Sequence, residues 1–212
     1  FSPKLGWRFA LSIKREQRYP APKWPVPGAY GSTVAIISLG MIGRLVCGLL
    51  RPFAVRVIAY DPFVDAATAA GLGVGMRSLD ACFAEADVVS LHTPWLPETE
   101  KMITGAHFRS MKRDATFINT ARGAVVDEPA MVAVLQERPD LTAVLDVTYP
   151  EPPKPGSPLY TLPNVILTPH IAGSMNAECR RMGRYAVEEC RRYLNGDPLQ
   201  WSISRERAAT LA

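Results

Sequence analysis

Short apolar runs alternate with helical patterns along the chain, and each run is apolar on both faces of the strand it would form. Buried parallel strands have this pattern because helices cover both faces of their sheet. Six runs predict strands, over residues 33–37, 55–60, 88–91, 116–118, 143–146 and 165–167. Helices are predicted over residues 42–51, 64–71, 105–112 and 128–138, and from Ser174 or Asn176 to Leu194. The alternation predicts a doubly wound α/β fold whose ligand crevice lies at the carboxyl ends of the strands.

Proline marks the boundaries of this pattern. It makes up 19 of the 212 residues, about 9% against an average near 5%. Four prolines fall within eight residues, Pro20, Pro22, Pro25 and Pro27, and neither a helix nor a central strand tolerates them. Residues 20–30 are therefore predicted to be a linker. A second rigid, irregular loop is predicted from Pro150 to Pro163.

Composition narrows the class of protein. With 48% apolar and 21% charged residues, the chain has the profile of an ordinary globular protein rather than a disordered or fibrous one. The net charge of +4 is spread without long blocks of one sign, which argues against a nucleic-acid partner. The longest apolar run, Thr33 to Ile42, falls far short of the roughly 20 residues that cross a bilayer, so no membrane span is expected.

The four cysteines are Cys47, Cys82, Cys179 and Cys190, and no pair has CxxC spacing. They lie in apolar segments, so we interpret them as packing thiols of a reducing compartment rather than as disulfides or metal ligands. The sequence therefore predicts a cytoplasmic protein with no metal site.

A glycine-rich turn follows the first predicted strand and opens a helix. Its sequence is Ser38-Leu39-Gly40-Met41-Ile42-Gly43, which matches the dinucleotide fingerprint GxGxxG except that Ser38 replaces the first glycine. Gly40 would let the backbone approach a pyrophosphate, the Met41 and Ile42 amides would face that anion, and Gly43 would let helix pack on strand. A glycine-rich turn without a ligand is the alternative interpretation.

Asp61 ends the second predicted strand, 18 residues beyond Gly43. Its carboxylate can accept hydrogen bonds from both hydroxyls of an adenosine ribose and would repel a 2′-phosphate. No Arg or Lys follows within several residues, so the position favours NAD over NADP. The alternative, that Asp61 is a turn or N-cap residue, is compatible with this role.

Other polar residues gather at predicted strand ends. The segments are His92-Thr93-Pro94, Asn119-Thr120-Ala121-Arg122-Gly123, Leu145-Asp146-Val147, Glu151-Pro152 and Thr168-Pro169-His170-Ile171-Ala172-Gly173. In this order, and with Met111-Lys112, they resemble the D-isomer-specific 2-hydroxyacid dehydrogenase family, which includes phosphoglycerate dehydrogenase and glyoxylate/hydroxypyruvate reductase. The resemblance runs from about Gly31 to Leu199 and implies a Rossmann-type NAD-binding domain.

Hydride exchange between a 2-hydroxy acid and nicotinamide needs an acid/base and a cation. His170 is the candidate acid/base, since imidazole titrates near neutral pH. Glu151 would bond the second ring nitrogen and fix its tautomer, and Arg122 would grip a carboxylate or polarise a ketone. The resemblance assigns these same catalytic roles. Taken singly, the residues could instead be a core-capping histidine, a loop glutamate and a surface-paired arginine.

The resemblance also implies a cofactor cleft, contacted by Ser38, Gly40, Met41, Ile42, Gly43, Asp61, Pro62, Thr93, Pro94, Thr99, Thr120, Ala121, Arg122, Asp146, His170, Ala172 and Gly173. Asp146 would meet the nicotinamide carboxamide. Of the other histidines, His107 is expected on a helix face or towards solvent, and His92 is equally compatible with a structural role and with cofactor contact.

Family members carry a substrate lobe ahead of this domain, so the resemblance implies that this lobe is largely missing. We expect residues 1–30 to be a remnant of the inter-lobe helix and a linker, residues 31–174 the NAD-binding domain, and residues 175–212 a C-terminal helix and tail. The expected function is NAD-dependent oxidation or reduction of a small D-2-hydroxy or 2-keto acid by a homodimer. A non-catalytic, corepressor-like NAD-responsive module and an inactive truncated fragment are the alternatives.

Overall fold

The structure, a computed structural model, describes residues 2–19, 26 and 28–208. The four prolines of the predicted linker, Pro20, Pro22, Pro25 and Pro27, lie outside the described residues. The chain forms two compact units, Phe1–Pro169 and His170–Ala212. The domain boundaries expected at residues 31 and 174 stay a prediction.

A seven-stranded parallel sheet forms the centre of the first unit. Its strands are β1 (Thr33–Ile37), β2 (Arg56–Tyr60), β3 (Gly75–Met76), β4 (Val88–Leu91), β5 (Thr116–Asn119), β6 (Thr142–Leu145) and β7 (Val165–Leu167). Their order is β3-β2-β1-β4-β5-β6-β7, and every neighbouring pair is parallel. Strands β2 and β3 are added on one side of β1 and strands β4 to β7 on the other, which makes the sheet doubly wound. The predicted fold class is confirmed.

Helices cover the sheet on both faces. Helix α1 (Gly6–Glu16) precedes the sheet in the chain. The covering helices are α2 (Met41–Leu50), α3 (Ala66–Gly71), α4 (Leu79–Glu85), α5 (Gly105–Ser110) and α6 (Glu128–Glu137). Ala35 and Ile37 of β1 pack in the same core as α4, α5 and α6. Val34 and Ile36, which alternate with them, pack in a second core with α2 and α3. The apolar run predicted for this strand therefore supplies both cores.

Side-chain caps set where several helices begin. The Asp65 carboxylate accepts from the Thr68 amide at 2.6 Å before α3, and the Ser78 hydroxyl accepts from the Ala81 amide at 3.2 Å before α4. Such caps satisfy amides that have no partner within the helix. The helix α4 and the strand β3 were not predicted. With two residues, β3 is too short to give a recognisable alternation of apolar and polar positions.

Charged side chains join elements at the amino-terminal edge of the sheet, where an aspartate precedes each of three neighbouring strands. Asp87, before β4, accepts from the Thr33 amide at 2.7 Å and from Lys112 Nζ at 3.2 Å. Asp140, before β6, is held by the Arg138 guanidinium through Nε at 2.9 Å and Nη2 at 2.7 Å.

Asp114 is the third of these aspartates. Asp114, before β5, lies 3.2 Å from Arg8 Nη1 of α1. Arg138 also donates to the main-chain carbonyls of Arg109, Met111 and Lys112. The bonds from Arg138 lower the pKa of the Asp140 carboxyl. This edge is consequently closed by bonds between helices, loops and strands.

The second unit consists of α7 (Ala177–Asn195), α8 (Arg205–Ala208) and connecting segments. Asn176 occupies the N-cap position of α7 but its side chain makes no cap bond; Glu178 Oε2 instead accepts from the Met175 amide at 2.9 Å. Gly196, in the left-handed region at φ 75°, ends the helix one residue beyond the predicted end at Leu194. No helix among the described residues is long and apolar enough to span a membrane.

The prediction that all four cysteines pack in the interior is wrong for two of them. Cys47 and Cys82 are buried, whereas Cys179 and Cys190 are exposed on α7. The interpretation as packing thiols does not hold on α7, because that helix has no buried residue. The described residues contain no group of three or more His, Cys, Asp or Glu side chains that could hold a metal ion.

Candidate functional site

The turn after β1 is tight and is held against β2. Ser38, in the position of the missing first glycine, has φ 79°, a backbone conformation that non-glycine residues adopt at a cost. Its amide donates to the Tyr60 carbonyl at 2.8 Å, which holds the turn against β2. A Cβ atom on Gly43 would overlap the Ser38 carbonyl oxygen, so glycine is required there for the helix to approach the turn.

The amino terminus of α2 opens from this turn. Gly40 is its N-cap, with no side-chain cap, and the atom nearest to a Cβ built there is Ser38 Oγ at 4.0 Å. Met41 and Ile42 are both more than half exposed. Uncapped amides at the start of a ten-residue helix attract an anion. The loop therefore fits a pyrophosphate at the position that the sequence predicts.

Asp61 lies beside this loop, at the carboxyl end of β2. Its Oδ2 atom accepts from the Leu39 amide at 2.7 Å and lies 3.4 Å from Ser38 Oγ, and its Oδ1 atom accepts from the Phe63 amide at 2.8 Å. The carboxylate is thus fixed next to the turn that would bind the pyrophosphate. That arrangement fits the adenosine half of NAD, since a carboxylate here can accept from ribose hydroxyls. Pro62, the next residue, is exposed.

The segment after β5 is shaped by Asn119. Its Oδ1 atom accepts from the Ala121 amide at 2.9 Å, and its Nδ2 atom donates to the Arg122 carbonyl at 3.1 Å. The exposed Arg122 side chain donates through Nη1 to the Ala121 carbonyl at 2.7 Å. A guanidinium has five N–H donors, so this one bond leaves donors for an anion. Thr120 is also exposed.

Two further predicted site residues are buried at the same edge. Asp146 follows β6 with 4% of its surface exposed, and its Oδ1 atom accepts from Thr168 Oγ1 at 2.5 Å. Thr93 follows β4, and its hydroxyl lies 3.5 Å from the Ile37 carbonyl. Thr99 Oγ1 donates to the Pro94 carbonyl at 2.6 Å and so folds the β4–α5 loop.

The two remaining histidines of the first unit have structural partners. His92 lies 3.0 Å from Ser90 Oγ through Nε2, and burial lowers its pKa to about 4. His107 Nδ1 accepts from the Thr104 amide at 3.0 Å, and Nε2 lies 3.2 Å from Asp80 Oδ1. Burial lowers the pKa of His107, against the opposing effect of Asp80. His107 therefore has the expected helix-face position and joins α5 to α4.

The predicted catalytic residues fall in different units. Arg122 and Glu151 belong to the first unit, where Glu151 is exposed in the proline-rich loop. His170 begins the second unit, is exposed, and has φ 53°. Ala172 and Gly173 follow it and are exposed as well. The pairing of Glu151 with His170 stays a prediction.

The carboxyl edge of the first unit also carries an aromatic pair that the sequence analysis missed. Trp95 follows β4 and Tyr149 follows β6, and their ring centroids are 5.4 Å apart. The available signal was two large aromatic residues shortly after predicted strand ends: Trp95 is four positions beyond residue 91, and Tyr149 is three positions beyond residue 146. The pairing itself depends on the order of the strands, which the spacing alone does not give.

Comparison with known proteins decides the family. A family model described as the NAD-binding domain of D-isomer-specific 2-hydroxyacid dehydrogenases matches residues 9–172. The chain belongs to this family. The observed loop and Asp61 agree with the NAD-binding role of the domain, and NAD is its cofactor.

Two D-3-phosphoglycerate dehydrogenases support the assignment to this family. A D-3-phosphoglycerate dehydrogenase of Archaeoglobus fulgidus is 34% identical over 82% of this chain and 33% of its own length. One from Mycobacterium leprae is 38% identical over 79% of this chain and 32% of its own length. The chain thus spans about a third of the length of these relatives.

A solved structure is similar as well. The NAD-complexed D-isomer-specific 2-hydroxyacid dehydrogenase of Lactobacillus delbrueckii ssp. bulgaricus is 27% identical, with a TM-score of 0.82. The match covers 96% of this chain and 66% of that structure. The seven-stranded unit therefore has the architecture of a nucleotide-binding domain within a longer enzyme.

Proposed function

We propose that the protein containing this chain is an NAD-dependent oxidoreductase that interconverts a small D-2-hydroxy acid and the corresponding 2-keto acid. The observation that carries the proposal is the meeting of four elements at one sheet edge. The ends of β1, β2, β5 and β6 bring together the Ser38–Gly43 loop, Asp61, Arg122 and Asp146. The relatives reported above are dehydrogenases, and no observation favours a corepressor-like module.

NAD, when bound, supplies the site that accepts or returns the hydride. The Met41 and Ile42 amides would hold its pyrophosphate, and Asp61 its adenosine ribose. Pro62, Thr93, Pro94, Thr99, Thr120, Ala121, Asp146, Ala172 and Gly173 would complete the cleft.

Arg122 would bind the substrate and polarise it. Its exposed guanidinium can pair with the substrate carboxylate and donate to the ketone oxygen, where negative charge develops during reduction. Asn119 bonds the Ala121 amide and the Arg122 carbonyl. The guanidinium of Arg122 therefore extends from a segment whose main chain is fixed by hydrogen bonds.

His170 would move the proton. In the oxidation direction its neutral ring nitrogen takes the proton of the substrate hydroxyl, and in reduction the imidazolium returns it to the ketone oxygen. Glu151 would accept a hydrogen bond from the other ring nitrogen and hold the tautomer. The left-handed backbone of His170 supports a site role, since such conformations cluster at functional sites.

Substitution of His170 in the full protein tests this mechanism. His170→Ala should reduce turnover of NADH with a 2-keto acid by about 10²- to 10⁴-fold, the usual contribution of a positioned acid/base. The affinity for NADH, measured by calorimetry, should stay within about twofold because the pyrophosphate and ribose contacts are elsewhere. Glu151→Gln should give a smaller loss. Full turnover in His170→Ala would contradict the mechanism.

We also propose that the protein is cytoplasmic, because its four cysteines are free and suit a reducing compartment. We propose further that it forms a homodimer, since a symmetric pair is the commonest homo-oligomer. Sedimentation at micromolar concentrations tests the assembly. A single species at the monomer mass across that range would contradict it.

A further inference from the structure

Two exposed aromatic rings touch at the carboxyl edge of the sheet. Trp95 and Tyr149 meet edge to face, with centroids 5.4 Å apart and planes at 66°. Trp95 is 43% exposed and Tyr149 is 50% exposed. Trp95 lies four residues beyond β4, and Tyr149 four residues beyond β6. The rings thus form an apolar surface at the edge where parallel α/β sheets bind their ligands.

The pair spans the segment that carries Arg122. Strand β5 lies between β4 and β6, so side chains that meet from the two outer strand ends must pass over the end of the middle one. The main chain confirms the closeness of two of these segments, because a Cβ atom on Gly123 would overlap the backbone of Thr148. Arg122 precedes that glycine and Tyr149 follows that threonine.

Hydrogen bonds hold both ring-bearing segments in place. Thr99 Oγ1 donates to the Pro94 carbonyl at 2.6 Å and accepts from the Leu96 amide at 2.8 Å, which brackets Trp95. The Tyr149 amide donates to Glu128 Oε2 at 3.0 Å. Burial raises the pKa of the Glu128 carboxyl, and the bond from Tyr149 opposes that rise. Rings on fixed segments lose little conformational entropy when a ligand packs on them.

The charges of these segments disfavour a second anion. Residues 93–99 and 146–151 contain Glu98, Asp146 and Glu151 but no lysine or arginine. A phosphate or second carboxylate on a substrate would find no cation within them, while Arg122 serves the first carboxylate. An uncharged hydrocarbon side chain, in contrast, gains from contact with exposed rings.

We propose that Trp95 and Tyr149 form the wall that receives the substrate side chain, and that the substrate is a 2-keto acid with an aromatic or branched aliphatic side chain. This assignment rests on the proposed function, because it names the substrate class of the same site. The proposed substrate class differs from that of the relatives named D-3-phosphoglycerate dehydrogenase, whose substrate carries a phosphate.

The experiment compares three 2-keto acids in the full protein: phenylpyruvate, glyoxylate, which has no side chain, and 3-phosphohydroxypyruvate. The kcat/KM for NADH oxidation is measured with each, and calorimetry gives the affinity of each acid for the NAD⁺-loaded protein. We expect phenylpyruvate to be preferred by both measures. Trp95→Ala and Tyr149→Ala should each lower the phenylpyruvate-to-glyoxylate ratio at least tenfold, within the range for losing an apolar pocket contact.

Two control variants separate ring packing from other effects. Tyr149→Phe keeps the ring and should keep the ratio within about twofold. Tyr30→Ala removes a tyrosine that is 89% exposed and precedes β1, and should leave the ratio unchanged. NADH affinity, measured on every variant, reports whether the domain is folded.

Each outcome bears on one of the two proposals. Preference for the phosphorylated acid, or an unchanged ratio in both alanine variants that still bind NADH, overturns the wall assignment and leaves the dehydrogenase proposal standing. If the protein binds NADH but neither binds nor reduces any of the three acids, the proposed function fails and the wall assignment fails with it.

Discussion

The two edges of the central sheet use their polar residues differently. At the amino edge Asp87 and Asp114 bond to lysine, arginine and main-chain groups of other elements, and Arg138, which holds Asp140, also donates to main-chain carbonyls of α5 and the segment after it. At the carboxyl edge Asn119 and Thr99 bond mainly within their own loops. The amino edge mainly joins elements to each other. The carboxyl edge also shapes loops that present groups to a ligand, although Asp61 and Asp146 there accept bonds from neighbouring strand ends.

This difference separates stability from binding within one domain. A side chain that connects elements contributes free energy to the folded state whether or not a ligand is present. A side chain that shapes a ligand loop contributes mainly to affinity. Substitutions of the amino-edge side chains should therefore lower the free energy of unfolding without changing NADH affinity, and substitutions in the ligand loops should mainly weaken NADH binding.

The largest expected effect concerns His92, which lies at the carboxyl edge but is buried. Its pKa is about 4 in the folded protein against 6.5 ordinarily, so the unfolded chain takes up a proton first as the pH falls. This contribution to stability is complete above pH 6.5 and is lost progressively down to pH 4. The loss amounts to about 3 kcal/mol, measured by urea unfolding across that range.

The His92→Asn variant isolates this effect. The difference in unfolding free energy between wild type and variant should change with pH, while the smaller contribution of His107 remains in both proteins. Parallel pH profiles would show that His92 is not the cause. A pH-dependent difference would show that a buried side chain stabilises the fold even at the carboxyl edge of the sheet.

The second expected effect is at the amino edge. Arg138→Ala removes the two bonds to Asp140 and those to three carbonyls, so the free energy of unfolding should fall by about 2 kcal/mol. NADH affinity should not change. Arg113→Ala is the matched control, because that side chain is 85% exposed and its loss should cost less than about 0.5 kcal/mol. Weaker NADH binding in Arg138→Ala would break the comparison.

The smallest expected effect is at the ribose-binding position. Asp61→Ala should weaken NADH binding by more than about 1 kcal/mol, and the wild type should bind NADH more tightly than NADPH because the carboxylate repels a 2′-phosphate. Calorimetry measures both. Asp65→Ala removes a nearby aspartate that caps α3 and should reduce stability without changing NADH affinity. Equal affinity of the wild type for NADH and NADPH would contradict the role of Asp61.

The sequence predicts the buried parts of this fold best. The bounds of β1, β4 and β7 agree with the predicted runs, since strands covered on both faces are continuously apolar. The turn at Ser38 and the position of Asp61 were also predictable, because the fingerprint combines short-range spacing with a known ligand chemistry. No such rule exists for β3, which has two residues and no apolar pattern of its own.

Contacts between loops were beyond prediction. Trp95 and Tyr149 are 54 positions apart in sequence, and they meet because β5 lies between β4 and β6. Likewise, the sequence identified Ser38 as a departure from glycine but did not show that its hydroxyl would approach Asp61. Such contacts depend on both strand order and loop conformation. A single sequence predicts the strand order only approximately.

The distribution of cysteines allows thiol reagents to label the second unit without labelling the first. Burial raises the pKa of Cys47 and raises that of Cys82 to about 12, so neither is available as a reactive thiolate. Cys179 and Cys190 are exposed on α7, 11 residues and about 16 Å apart along one side of the helix. A maleimide dye or spin label would therefore mark the second unit alone, and would report directly on its environment when NADH is added.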